Sequence, residues 1–263
     1  MKATFRRIAK EARFFDEGHG FDVFGLHPPH LARAIVLARP LYDRYFRVDS
    51  RGAERIPARG PVILVANHAG LLPVDAGLLC LDVLYRTTPP RIPRPVGDQF
   101  IPKLPLIGTW FSRLGMVSGT RANVRRLLER GELLAIWPEG VAGTAKRWRD
   151  RYTLQAWRVG FAEQAIRHRA VVVPVAIIGA EESWPLLAKL PLRAFGAPYF
   201  PVPAVPLPLP AHYRLRYGAP MLLGATADDA DDPDVVARAS AEVHDALAQL
   251  VLDSRRARRG WFR

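Results

Sequence analysis

Two short stretches of this chain place ionisable side chains where chemistry is commonly done. The first, Asn67-His68-Ala69-Gly70-Leu71-Leu72-Pro73-Val74-Asp75, follows an apolar run from Pro61 to Ala66 that reads as a buried strand. In the second, the apolar run Leu133 to Ile136 ends in Trp137-Pro138-Glu139-Gly140. An imidazole exchanges protons near neutral pH and suits general acid–base work. A carboxylate accepts hydrogen bonds, and a glycine lets backbone amides approach an anion. Taken singly, each stretch has a bland reading: a strand-end histidine that only bonds its neighbours, and a turn that merely precedes a helix. Open α/β sheets gather their sites at the carboxyl ends of strands, so the two together point to one site.

The elements that must position these residues follow from periodicity and punctuation. Leu31 to Phe46 reads as a helix leading into a strand at Arg47-Val48-Asp49, and Pro57 to Gly60 as a turn. Pro73 suits a first helical turn, which predicts a helix from Pro73 to Tyr85. Further strands are expected at Arg94 to Gly97, Leu133 to Trp137 and Ala170 to Ile178, with helices at Asn123 to Gly131 and Gln155 to His168. The run Ala170 to Ile178 is apolar almost throughout, as in a strand covered on both faces. Tyr213 to Tyr217 alternates like an edge strand, and a last helix spans Pro233 to Leu252. Alternation of strand and helix implies an α/β fold: a single domain with a largely parallel central sheet flanked by helices.

Composition narrows the partners. At 263 residues the chain can bury one large core, and its single cysteine, Cys80, excludes a disulfide framework. The net charge of +13 favours acidic partners, namely nucleic acid, anionic lipid headgroups or coenzyme phosphates. No nucleic-acid module or zinc-ligand spacing is present, so no nucleic-acid partner and no metal are expected. Lys2 to Phe15 alternates basic and apolar positions at helical spacing, which fits a helix lying on an anionic membrane surface and equally one packed on the domain. No signal peptide is evident, and the uncharged stretch after Ala194 carries too many prolines for a membrane-spanning helix.

With a third element, Val173-Pro174-Val175, the chain resembles the phospholipid/glycerol acyltransferase superfamily. The shared pattern is a His and an Asp a few residues apart, here His68 and Asp75, then a Pro-Glu-Gly block, here Trp137 to Gly140, then the Val-Pro-Val strand. The match runs from about Phe46 to Glu182. The continuations Arg151-Tyr152-Thr153-Leu154-Gln155 and Ile178-Gly179-Ala180-Glu181-Glu182 resemble one bacterial branch. The resemblance implies residues 46–252 as an acyltransferase domain, between a helical, membrane-associating segment at 1–45 and a basic tail at 253–263.

It further implies transfer of a fatty acyl group from acyl-CoA or acyl carrier protein to a hydroxyl of a lipid acceptor, with no cofactor beyond that co-substrate. A lysophospholipid such as lysophosphatidate is the expected acceptor. A neutral lipid alcohol, and a non-catalytic lipid-binding protein of the same fold, are the alternatives. A serine hydrolase would need Gly-x-Ser-x-Gly, which the chain lacks. The expected location is peripheral, on the cytoplasmic face of a membrane. His68 would be the general base and Asp75 the carboxylate that holds its tautomer. Six residues separate them where most of the superfamily has four. In one continuous helix their Cα atoms would lie about 10 Å apart along the axis, so a loop up to Pro73 must fold back. Glu139 and Gly140 would meet the acceptor. Two arginines common in the family are missing from Val117 to Arg121 and from Gly140 to Gly143 at their usual places. Arg113, Arg121, Lys146 and Arg147 are the expected substitutes, with a solvated surface as the ordinary alternative.

In the segment from Trp184 to Leu209, Trp184, Phe195, Tyr199 and Phe200 make a lipid-facing patch one reading and a loop packed on its own core the other.

Overall fold

The computed structural model describes residues 11–69, 73–144, 146–190, 199–258 and 260. Seven strands form one sheet in the order β1 (Asp49–Arg51), β9 (Arg214–Tyr217), β6 (Val171–Ile178), β2 (Val62–Ala66), β5 (Leu133–Ile136), β3 (Pro93–Gly97) and β4 (Val117–Ser118). A short β10 (Met221–Leu222) pairs antiparallel with the start of β6. The five strands from β6 to β4 are parallel, whereas β9 runs antiparallel to β6 and β1 follows β9. A separate antiparallel hairpin joins β7 (Leu186–Leu190) to β8 (Phe200–Pro203).

The alternation within β2 explains the layers. Val62, Leu64 and Ala66 face a core shared with Leu79 and Val83 of α2 (Val74–Arg86) and Ile35 of α1 (Pro28–Pro40). Ile63 and Val65 face the opposite core, built with Leu127 of α4 (Arg121–Glu129), Ile166 of α6 (Gly160–Arg167) and Val243 of α7 (Pro233–Arg256). All five β2 side chains are buried, three on one face and two on the other of an open sheet covered on both sides, at roughly 1.5–3 kcal/mol apiece for the larger ones. After β2 the chain crosses on the α2 face to reach β3; after β5 it crosses on the α6 face to reach β6. Adjacent strands whose connections leave in opposite directions open a crevice at their carboxyl ends. His68 and Glu139 stand at its two sides.

Three expectations change. The helix expected from Gln155 begins only at Gly160, because the backbone amides of Gln155 and Arg158 are donated to Glu139 Oε2 (2.8 Å) and to the Pro138 carbonyl (3.2 Å). Tyr213 to Tyr217 is no edge: β9 lies between β1 and β6, and Leu215 and Tyr217 are buried. The strand expected at Arg47 to Asp49 is shifted to Asp49–Arg51, where it pairs with β9. The helix expected at Lys2 to Phe15 falls largely outside the described residues, as does Phe195. Among the described residues no helix is long and apolar enough to cross a membrane.

Candidate active site

Asn67 closes β2. Its side-chain amide donates to the Ile177 carbonyl (2.9 Å) and its oxygen accepts from Ile177 N (2.7 Å), extending the ladder to β6 after the backbone has turned away. A polar residue at the end of an apolar strand was the available signal. The freed backbone then presents His68, which packs against the Trp137 ring with centroids 5.4 Å apart.

Asp75 lies in the first turn of α2, which starts directly after Pro73. Its Oδ2 is 2.6 Å from His68 Nδ1 and accepts also from Ala69 N (3.1 Å), while Oδ1 accepts from Ala76 N (2.8 Å). The loop thus folds back as the long His–Asp spacing requires. An ionised carboxylate only accepts hydrogen bonds, so the Nδ1 contact sets the proton on Nδ1 and the lone pair on Nε2. The Asp75 side chain is wholly buried and the His68 side chain 14 % exposed, so the imidazole is anchored from within and open at its rim.

Glu139 occupies the turn after β5. One oxygen, Oε1, accepts from His68 N (3.0 Å); the other accepts from Gln155 N (2.8 Å) and pairs with Lys146 Nζ at 2.8 Å. Gly140 adopts φ +55° and donates its amide to the Trp137 carbonyl. Beyond it comes α5 (Val141–Thr144), where Gly143 packs so closely that a Cβ would stand 2.9 Å from the Cβ atoms of both Glu139 and His68. Only a glycine permits that approach. Gly143 was not singled out from sequence, where it is one small residue among several.

The expected cations go to different places. The Lys146 side chain is 3 % exposed and lies between Glu139 and Glu181, whose Oε1 is 3.7 Å away. Arg147 is exposed and lines a cleft with Gly143, Trp148, Glu181 and Trp184. Arg121, largely exposed, pairs with Glu163 at 2.9 Å on the α6 side. Arg113 ends α3 (Ile107–Arg113), where its carbonyl accepts from His27 N. The structure therefore joins His68, Asp75, Glu139, Gly140 and Lys146 in one constellation, and sets Arg113 and Arg121 in contacts of their own. Arg158, not picked from sequence, reaches the Gly140 turn, with its guanidinium 3.5 Å from where a Gly140 Cβ would be and 3.0 Å from Asp98.

Behind Lys146 lies a second buried group. Burial pushes the Glu181 carboxyl up to about 7, with Lys146 opposing and Glu182 adding to the shift. Glu182 accepts from Tyr152 Oη and from Arg258, so the segment expected as a basic tail lends a cation to this wall. Tyr199 donates to the Val141 carbonyl (2.7 Å), tying the β7–β8 hairpin to α5, and Trp184 donates to the Val205 carbonyl (2.9 Å). Among the described residues no cluster of His, Cys, Asp and Glu could hold a metal ion.

Comparison with known proteins bears on the family and the fold. The family described as Acyltransferase matches residues 47–178. An uncharacterized protein of Mycobacterium tuberculosis is 38% identical over 258 residues, which cover 93% of this chain and 72% of that protein. A Bos taurus protein named "DGAT1/2-independent enzyme synthesizing storage lipids" is 25% identical over 207 residues, 78% of this chain and 59% of that one. The solved structure of the 1-acyl-sn-glycerophosphate (LPA) acyltransferase PlsC from Thermotoga maritima superposes with a TM-score of 0.56 at 19% identity, covering 88% of this chain and 81% of that chain, and so shares the fold. With a family match over half its length, the chain belongs to the Acyltransferase family.

Proposed function

We propose that the protein transfers a fatty acyl group from acyl-CoA or acyl carrier protein to a hydroxyl of a glycerolipid, with a lysophospholipid such as lysophosphatidate as acceptor. The observation that carries this reading is the 2.6 Å contact between His68 Nδ1 and the buried Asp75 carboxylate at the end of β2. It leaves Nε2 to take the acceptor hydroxyl proton as the oxygen attacks the thioester carbonyl. Asp75 stabilises the imidazolium so formed. Collapse of the tetrahedral intermediate breaks the C–S bond, the thiolate regains the proton from His68, and an ester and a free thiol leave. Glu139 acts through the backbone: by accepting from His68 N it fixes the loop that aims the ring.

Exposed Arg158 beside the Gly140 turn and exposed Arg147 in the cleft lined by Gly143 support a phosphate-bearing substrate, since guanidinium groups suit bidentate phosphate contacts. A neutral lipid alcohol is the second reading. The withdrawal of Lys146 into the core favours it, as does the storage-lipid synthesis named for the bovine relative. The net charge of +13 supports action at an anionic membrane surface, on the cytoplasmic face. Incubation with acyl-CoA and mixed lysophosphatidate and monoacylglycerol, read by thiol release and lipid mass spectrometry, tests the reading. Phosphatidate with stoichiometric thiol is expected. Diacylglycerol alone would shift the acceptor to a neutral lipid, and thiol release without any acylated lipid would make the protein a hydrolase.

A further inference from the structure

The chain between β3 and β4 makes an unusual investment in exposed apolar surface. It leaves the sheet at Asp98, which pairs with Arg158 beside Gly140, so it rises from the same rim as His68. After one turn at Ile101–Lys103 it forms a knuckle that leads into α3. Leu106 at its tip is 88 % exposed, Ile107 48 % and Trp110 47 %. The tip is held rigidly. Gly108 donates to the Leu104 carbonyl (2.9 Å), and a Cβ on Gly108 would collide with the Pro102 carbonyl oxygen at 2.5 Å. Leu106 itself adopts φ +62° and ψ −45°, at the centre of a strained γ-turn in which Ile107 N donates to the Pro105 carbonyl (2.6 Å). A strained backbone thus presents a leucine to solvent.

Charge around the knuckle has one sign. From Gln99 to Arg113 there is no acidic residue, while Lys103 and Arg113 flank the apolar tip. The surface continues onto α1, because the Trp110 ring meets His30 edge-on at 6.2 Å, and along that helix Leu37 is 77 % exposed beside Arg33. A groove would suit a peptide or helix, but here an aliphatic tip 88 % exposed stands in solvent, with a half-exposed tryptophan one turn on and basic residues on either side of it in the sequence. Those are the features of a segment that enters the headgroup region of an anionic bilayer.

We propose that the knuckle Pro102–Trp110 inserts into an anionic lipid bilayer and so holds the His68 rim against the surface from which a lipid acceptor is drawn. This deepens the acyltransferase reading and rests on it for the acceptor, though not for the binding itself. The double variant Leu106→Asn/Ile107→Ser tests it. Leu106 and Ile107 both face solvent, so polar side chains there leave the core untouched and the melting temperature should match wild type. Sedimentation with vesicles of phosphatidylglycerol and phosphatidylcholine in equal parts should show binding weakened about tenfold or more, the worth of one withdrawn leucine. Turnover of vesicle-borne lysophosphatidate should fall by the same factor, and turnover of a short-chain acceptor in free solution should not change. Wild-type vesicle affinity in the folded double variant would overturn the proposal. So would a concentration-dependent dimer of the wild type that the variant loses while still binding vesicles, since a second copy would then cover the knuckle. If the wild type acylates no acceptor at all, the acyltransferase reading fails, and the vesicle measurement still decides whether the knuckle docks.

Discussion

Lys146→Met removes the cation that pairs with the Glu139 carboxylate. Both side chains are nearly sealed from solvent and their charges stand 2.8 Å apart, so neither water nor salt screens the pair. Without the ammonium, Glu139 either keeps a buried charge with no counter-ion or must take up a proton. Breaking a buried pair in this way costs about 3–5 kcal/mol, which for a domain of this size lowers Tm by roughly 6–20 °C. Function should suffer beyond stability. Glu139 accepts from His68 N and Gln155 N, so a displaced carboxylate releases the loop that aims the imidazole. A shift of about 1 Å at a reacting group lowers rate on the order of 10²-fold, and the loss should appear in kcat with little change in KM. Differential scanning calorimetry and thiol-release kinetics below the variant's Tm measure the two effects. Adding Glu139→Gln should restore part of the lost Tm, because a neutral pair leaves no orphaned charge. A Lys146→Met protein with wild-type Tm and kcat would refute the clamp.

Glu181→Gln should flatten the dependence of stability on pH. The folded carboxyl holds its proton up to about 7 whereas the unfolded one releases it near 4.5, so stability contributed by this group is present below about 4.5 and is lost as pH rises through 7. Tm measured from pH 5 to 8 should therefore favour the variant increasingly toward the alkaline end; parallel curves would contradict the assignment. Gly143→Ala places a methyl 2.9 Å from His68 Cβ and Glu139 Cβ, which should cost about 1–3 kcal/mol and lower kcat on the order of 10²-fold, read by calorimetry and kinetics together. Asp75→Asn should leave KM nearly unchanged and lower kcat by up to about 10⁴, since it removes the carboxylate that fixes the tautomer but not the base.

What was legible in the sequence was whatever local chemistry determines. The apolar runs of β2, β5 and β6 declare buried parallel strands, and Pro73 marks the start of α2, which is why Asp75 turns back to His68. Readings that depend on distant partners went astray. Gln155 has a helical context, yet its amide is recruited by Glu139 from the previous strand end. The alternation of Tyr213 to Tyr217 suggests an edge because alternation carries no strand order, and β1 covers that side. Lys146 is expected from the sequence to stand in for one of the family's missing arginines. Its actual surroundings come from Glu181, beyond β6, and no local pattern reveals that. Gly143 matters only through what packs on it.

The account stands on His68 as the base. The most direct measurement is acyl transfer by a His68→Ala protein, with thiol release and esterified lipid recorded in the presence of acyl-CoA and lysophosphatidate. The site's geometry predicts a folded protein whose turnover is lower by about 10²–10⁴, because the residue that receives the hydroxyl proton is gone while the strand end carrying it is held by Asn67 and Glu139. Turnover at the wild-type rate in that folded variant would contradict it.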